Sequence, residues 1–92
     1  MNKTELINSL SEETTLSKKD VMRMVDSLTR IIERCLRKGE KVSLTGFGSW
    51  STSVRPARNG INPANKNRIQ IPAVRVAKFK PGKNLREMVR AA

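Results

Sequence analysis

The chain has 92 residues, 37% of them hydrophobic and 3% aromatic, so it has one-domain length and the material for one modest core. Its formal charge is +11, it has no histidine, and its single cysteine, Cys35, excludes an intrachain disulfide. With no nucleophile beside a base, no glycine-rich phosphate loop and no metal-ligand cluster, the sequence argues against an enzyme and implies no cofactor or small-molecule substrate.

In chain order, Asn2 is a good N-cap with Glu5 three residues on, and Leu6, Ile7 and Leu10 fall on one face. That spacing predicts a short amphipathic helix over 3–14. Ser17 with Asp20 marks a second start, after which Val21, Met24, Val25, Leu28, Ile31, Ile32 and Cys35 recur at steps of three and four. A helix over 18–38 follows, stopped by Gly39, with Cys35, Met22 and Met24, and Met88 further along the chain, read as packing residues. The period then changes to two. Residues 41–45 alternate as a half-buried strand, Gly46-Phe47-Gly48 turns, and Trp50, Thr52 and Val54 continue a second strand.

Residues 55–73 differ in character. Their centre is rich in Asn, Gly and Pro and turns, while the flanks, Arg55 to Arg58 and Arg68 to Ile71, can extend. With too little apolar material to bury, the segment reads as a projecting β-hairpin arm. Residues 74–80 alternate again as a returning strand, Pro81-Gly82 breaks it, and Leu85, Met88 and Val89 mark a short closing helix. The expected fold is α+β in a single domain over 1–92. A helical base occupies 1–40, a three-stranded antiparallel sheet 41–54 and 74–81, the arm 55–73 and a C-terminal helix 82–90. So small a core, with an arm projecting from it, also favours pairing of two chains.

The charge is unevenly spread. Residues 1–40 carry eight Lys/Arg against seven Asp/Glu, whereas 41–92 carry eleven against one acid, Glu87. A polyanionic partner follows, with nucleic acid the commonest and an anionic membrane surface the competitor. The polar amino end and the lack of any apolar run near the ~20 residues needed to span a bilayer lead to the expectation of a cytosolic chain. From Lys41 to Arg86 there are ten Lys/Arg and no acid. Arg55, Arg58 and Arg68 are placed for phosphates or the floor of a narrow minor groove, with Lys66, Arg75 and Lys78 in the same basic run. Asn62-Pro63 reads on its own as a surface turn. A stiff apolar ring without an N–H also suits a wedge between base pairs, and Asn62, held extended by the proline, can reach minor-groove acceptors. Ile61 either packs along the arm or adds apolar surface beside the wedge.

The segments Met-Asn-Lys-Thr-Glu-Leu-Ile at 1–7, Leu-Ser-Lys-Lys-Asp at 16–20 and Lys-Gly-Glu-Lys-Val at 38–42 occur in order with Gly-Phe-Gly at 46–48, Asn-Pro at 62–63, Ile-Pro at 71–72 and Phe-Lys-Pro-Gly-Lys at 79–83. In this order and spacing, from Met1 to about Arg90, the chain resembles the HU/IHF family of bacterial histone-like DNA-bending proteins, HU more closely. The resemblance implies an intertwined two-chain body with a helical base, sheets above it and two arms that enter minor grooves. It makes Pro63 the intercalating wedge, places Phe47, Trp50 and Phe79 in the dimer core, and gives Lys3, Lys80, Lys83 and Arg86 to flanking DNA. It further implies double-stranded DNA as partner, with RNA as an alternative polyanion, and a homodimer or a heterodimer with a related chain. No membrane is implied, and the setting is the cytoplasmic nucleoid. Four features depart from the family pattern: Ile61 where arginine is frequent, the run Ala64 to Asn67 where a glycine is usual, Trp50 in place of phenylalanine, and Thr15 where glycine is common.

The function so expected is architectural: binding of duplex with low sequence specificity through phosphates and minor groove, with bending and compaction. The alternatives are a sequence-preferring IHF-like bending factor, a helix-turn-helix regulator built on the first two helices, and a basic protein of anionic lipid surfaces. The regulator is disfavoured by the unbroken apolar stripe of the second helix, and the lipid reading by the lack of an apolar face with Trp or Phe.

Overall fold

The computed structural model describes residues 1–92 as three helices and five strands in the order α1 (Lys3–Thr14), α2 (Lys18–Arg37), β1 (Val42–Leu44), β2 (Gly48–Arg55), β3 (Arg58–Ile61), β4 (Arg68–Ile71), β5 (Val74–Pro81) and α3 (Lys83–Ala91). This is the expected α+β order. The chain divides into two compact units, Met1–Arg34 and Cys35–Ala92.

In the first unit the helix starts are set by side chains. The Glu5 amide donates to Asn2 Oδ1 at 2.9 Å and the Asp20 amide to Ser17 Oγ at 3.1 Å, satisfying N–H groups the helices leave open. Helix α1 ends at Thr15, whose φ of 61° and ψ of 11° are left-handed. Ile7 on α1 and Val21 on α2 are the buried apolar side chains.

Helix α2 runs into the second unit and ends in a Schellman turn: the Gly39 amide donates to the Leu36 carbonyl at 3.0 Å and the Glu40 amide to the Cys35 carbonyl at 2.9 Å. That closure needs a left-handed residue, and Gly39 supplies it at φ 76°. Beyond it, β1, β2 and β5 form an antiparallel sheet in the order β1-β2-β5. Val42 pairs with Trp50 and Leu44 with Gly48, while Trp50 pairs with Phe79 and Arg55 with Val74. Phe47, Trp50 and Phe79 gather on one face, with ring centroids 5.1 to 6.2 Å apart. Gly48 is required there, because a Cβ would come within 2.6 Å of the Phe79 ring and 2.7 Å of the Lys80 carbonyl.

The apolar stripe of α2 does not behave as a core within one chain. Val21 is buried, but Met24 is 51%, Leu28 47% and Ile31 43% exposed. Met22 and Met88 are exposed as well, and Cys35 is half-buried, so the packing expected of them is not made inside this chain. Phe47 and Phe79 also stand more than 40% open.

Candidate nucleic-acid interface

The arm is built by two prolines. The β2–β5 ladder ends at Arg55 and Val74, and a second ladder, β3 with β4, begins at Arg58 and Ile71. Between them lie Pro56-Ala57 on one strand and Pro72-Ala73 on the other. Neither proline has an N–H to give, so the sheet is interrupted on both strands at one level. Strands β3 and β4 then pair only with each other. Arg55 and Arg58 share a groove of about 480 Å³ at the arm root with Pro56, Ile71, Pro72, Val74 and Val76.

The register assigns the arm residues to faces. Arg58 pairs with Ile71 and Gly60 with Ile69, while Asn59 pairs with Gln70 and Ile61 with Arg68. Strand alternation puts the second set on the face opposite the first. Ile69 and Ile71 fold toward Gly60, where a Cβ would lie 3.0 Å from Ile71 Cδ1. Ile61 is 67% exposed beside Arg68, so it does not pack along the arm. Asn59 and Gln70, which the sequence reading passed over, share this face. Counting outward from the Asn-Pro turn in steps of two would have found them.

At the tip, the Asn62 amide donates to the Asn67 carbonyl at 2.8 Å and the Lys66 amide to the Asn62 carbonyl at 2.7 Å. The Asn62 side chain closes an Asx turn by accepting from the Ala64 amide at 2.9 Å, and Asn65 does the same for Asn67 at 3.0 Å. Asn62 Oδ1 is therefore spent on the turn, leaving its NH2 group for a partner. Pro63 stands exposed at the apex. Lys66 takes φ 58°, the left-handed conformation a glycine would adopt without strain.

The remaining basic residues separate. Lys80, Lys83 and Arg86 line a shallow cavity of about 410 Å³ between the β1–β2 turn and the start of α3, together with Lys41. Lys41 was not singled out from sequence, since only the β1–β5 arrangement brings it there. Lys83 has a weak partner, Glu87 Oε1 at 4.0 Å. Lys78 is exposed on β5. Arg75 has a different task. Its Nη1 donates to the carbonyl of Arg37, the last residue of α2, at 2.8 Å, placing a cation at the negative end of the helix. It also lies on the sheet face opposite Lys78 and Lys80, so the structure does not group it with them. Lys3, in the first unit, is committed to Asp26 Oδ1 at 2.6 Å. That bond, and then the charges of Lys3 and Arg30, hold the Asp26 carboxyl below its usual range despite some desolvation.

A cationic two-stranded ribbon rooted in an α+β body defines a class: small architectural proteins that grip a polyanion by charge and shape. The family model described as bacterial DNA-binding protein matches residues 1–90. DNA-binding protein HU of Geobacillus stearothermophilus is 49% identical over 90 residues, covering 98% of this chain and 100% of that one. DNA-binding protein HU 1 of Bacillus subtilis strain 168 is 48% identical over 89 residues, 97% of each. Among solved structures, the HU chain of an Anabaena HU–DNA cocrystal superimposes with a TM-score of 0.90 at 37% identity over 100% of both chains. HU from Thermotoga maritima gives 0.69 at 35% identity, covering 97% of this chain and 98% of that one. The chain belongs to the bacterial DNA-binding protein family and is, among its members, HU-like: a histone-like architectural DNA-binding protein and not an enzyme.

Proposed function

We propose that two copies of this chain form a saddle that binds duplex DNA with little sequence preference, inserts both arms into minor grooves and bends the duplex between them. The observation that carries this reading is the arm itself: Arg55, Arg58, Lys66 and Arg68 on a ribbon that ends in the exposed ring of Pro63. Four cations without an acid give affinity by counterion release, which is blind to sequence. The proline ring supplies a wedge that opens a base step, and Ile61, exposed two residues before it, extends the apolar contact. Lys78, Lys80, Lys83 and Arg86 hold flanking DNA, which reaches them only when curved, so bending and affinity are coupled. Lys3 joins them on release from Asp26.

The open faces support the two-chain body. In the first unit Met24, Leu28 and Ile31, and in the second unit Phe47, Phe79, Met88 and Val89, are each more than two-fifths exposed, and so much open apolar area is not how a monomer rests in water. A second copy covers it, with Phe47, Trp50 and Phe79 in the joint core, and both units of each chain then fold as one domain. The setting is the nucleoid. No helix is long and apolar enough to cross a membrane.

The test is Pro63→Ala. Bending read by fluorescence transfer between duplex ends should fall, and binding should weaken by about 1–3 kcal/mol, the scale of unstacking a step. Unchanged bending removes the wedge. Titrating duplex RNA alongside duplex DNA measures whether the surface prefers one polyanion.

A further inference from the structure

The outer faces of the two helices in the first unit take no part in gripping the duplex. Ile7 is the buried side chain of α1 and Val21 that of α2. At about 100° per residue, Glu5 and Glu12 lie about 150° round α1 from Ile7, and Arg23 and Arg30 about 170° round α2 from Val21. All four are exposed. The members of each pair are about 10.5 Å apart along their helix, so the two rows have the same pitch. Lys19 and Arg34 lie on the arginine side of α2 and add the same sign. Asp26 and Glu33 flank that row along one edge, and Asp26 is taken by Lys3 at 2.6 Å. The chain's other ion pair, Lys83 with Glu87, lies in the second unit. None of the Glu5, Glu12, Arg23 and Arg30 side chains has a hydrogen-bond or ion-pair partner in its own chain. An exposed helix can satisfy such charges by setting opposite signs three or four residues apart on its own surface. Here the acids of α1 and the bases of α2 form separate rows instead.

We propose that the arginine row of α2 docks the glutamate row of α1 from a neighbouring copy, so that two-chain bodies bound side by side on a duplex hold one another. This contact rests on the reading of the chain as a two-chain duplex binder and adds a protein–protein surface to it. Sign and pitch fix the occupant. A duplex laid along the row would also meet Asp26 and Glu33, whereas a helix with glutamates at the same spacing meets Arg23 and Arg30. The two rows differ, so a copy that gives its glutamates to one neighbour keeps its arginines for the next, and the contact passes along an array. Exposed ion pairs are weak, so the bodies stay apart in dilute solution. A shared duplex raises their local concentration to roughly the millimolar scale, where the same contact counts.

The experiment compares a short duplex that holds one body with a long duplex that holds many, in dilute salt. The proteins are wild type, E5R/E12R, R23E/R30E and the combined E5R/E12R/R23E/R30E, which exchanges the rows and keeps the net charge. Wild type should fill the long duplex cooperatively, a site beside an occupied one being bound about five-fold more tightly than an isolated one, and should lose that advantage as salt rises. E5R/E12R and R23E/R30E each set like charges against one another and should fill the long duplex without cooperativity. The combined variant should regain it, and so should an equimolar mixture of the two reversed proteins, since each supplies the sign the other lacks. A wild type that fills both duplexes with one intrinsic affinity overturns the proposal whatever the variants do. Cooperativity that survives either reversal overturns it as well, and so does a combined variant that binds the short duplex yet fills the long one without cooperativity. A wild type that ignores the short duplex altogether sinks the underlying functional reading, an outcome distinct from firm binding without cooperativity.

Discussion

Two residues hold backbone conformations that their side chains resist. Thr15 ends α1 in the left-handed region, where a β-branched residue is strained by about 1–2 kcal/mol. Thr15→Gly relieves that strain, less the extra freedom glycine gains on unfolding. It should raise stability by roughly 0.5–1 kcal/mol, read as a higher midpoint in thermal or urea unfolding; a lower midpoint would show that the Thr15 side chain contributes more than its backbone costs. Lys3 and Asp26 make a second local argument. The depressed Asp26 carboxyl contributes stability above its unfolded value, and that contribution is lost as pH falls through the lower folded value, below the ordinary 3.8. At neutral pH the pair is fully formed, so Asp26→Asn is the way to free Lys3. The variant should bind duplex more tightly in dilute salt and steepen the salt dependence by about 0.9 for each Lys3 released; an unchanged slope would mean Lys3 takes no part in binding.

At the scale of elements, what could be read from sequence depended on whether the signal was local. Both helix starts were legible because Asn2 and Ser17 are each bonded to an amide three residues on, and the hairpin because Pro and Asn punctuate it. The faces of the arm were less legible, since they depend on the register of Arg58 with Ile71 and Ile61 with Arg68. The role of Arg75 was hidden altogether: a guanidinium 38 positions from the carbonyl it meets leaves no periodic trace. The tip lies between these cases. A departure from a glycine pattern was visible in sequence, and the structure shows its consequence in the positive φ of Lys66. Lys66→Gly should relax the turn while removing a cation. Amide exchange at the tip should slow, while affinity for duplex should fall by the worth of one phosphate contact, with the slope smaller by about 0.9 per arm. Faster exchange at the tip would show that the Lys66 side chain, and not its backbone, holds the turn.

For the molecule as a whole, the sequence marked which residues are apolar but not what covers them. The stripe from Val21 to Cys35 has the spacing of a core helix, yet only Val21 of it is buried in one chain, because periodicity reports a buried face without saying whose surface buries it. The proposed second copy would resolve the contradiction, and Trp50 offers a direct probe of it. Its indole is the only one in the chain and packs beside Phe47 and Phe79 on the sheet face where both phenylalanines remain more than 40% exposed. If a partner closes that face, dilution below the dissociation constant must wet the indole. Emission should move to the red as concentration falls, and the melting temperature should fall with it, since mass action ties folding to association. Ultracentrifugation over the same range should show the mass halving where the emission shifts. A melting temperature constant over roughly a 100-fold dilution, with monomer mass throughout, is incompatible with a shared core. The saddle would then have no second arm, and bending would have to be explained by one wedge alone.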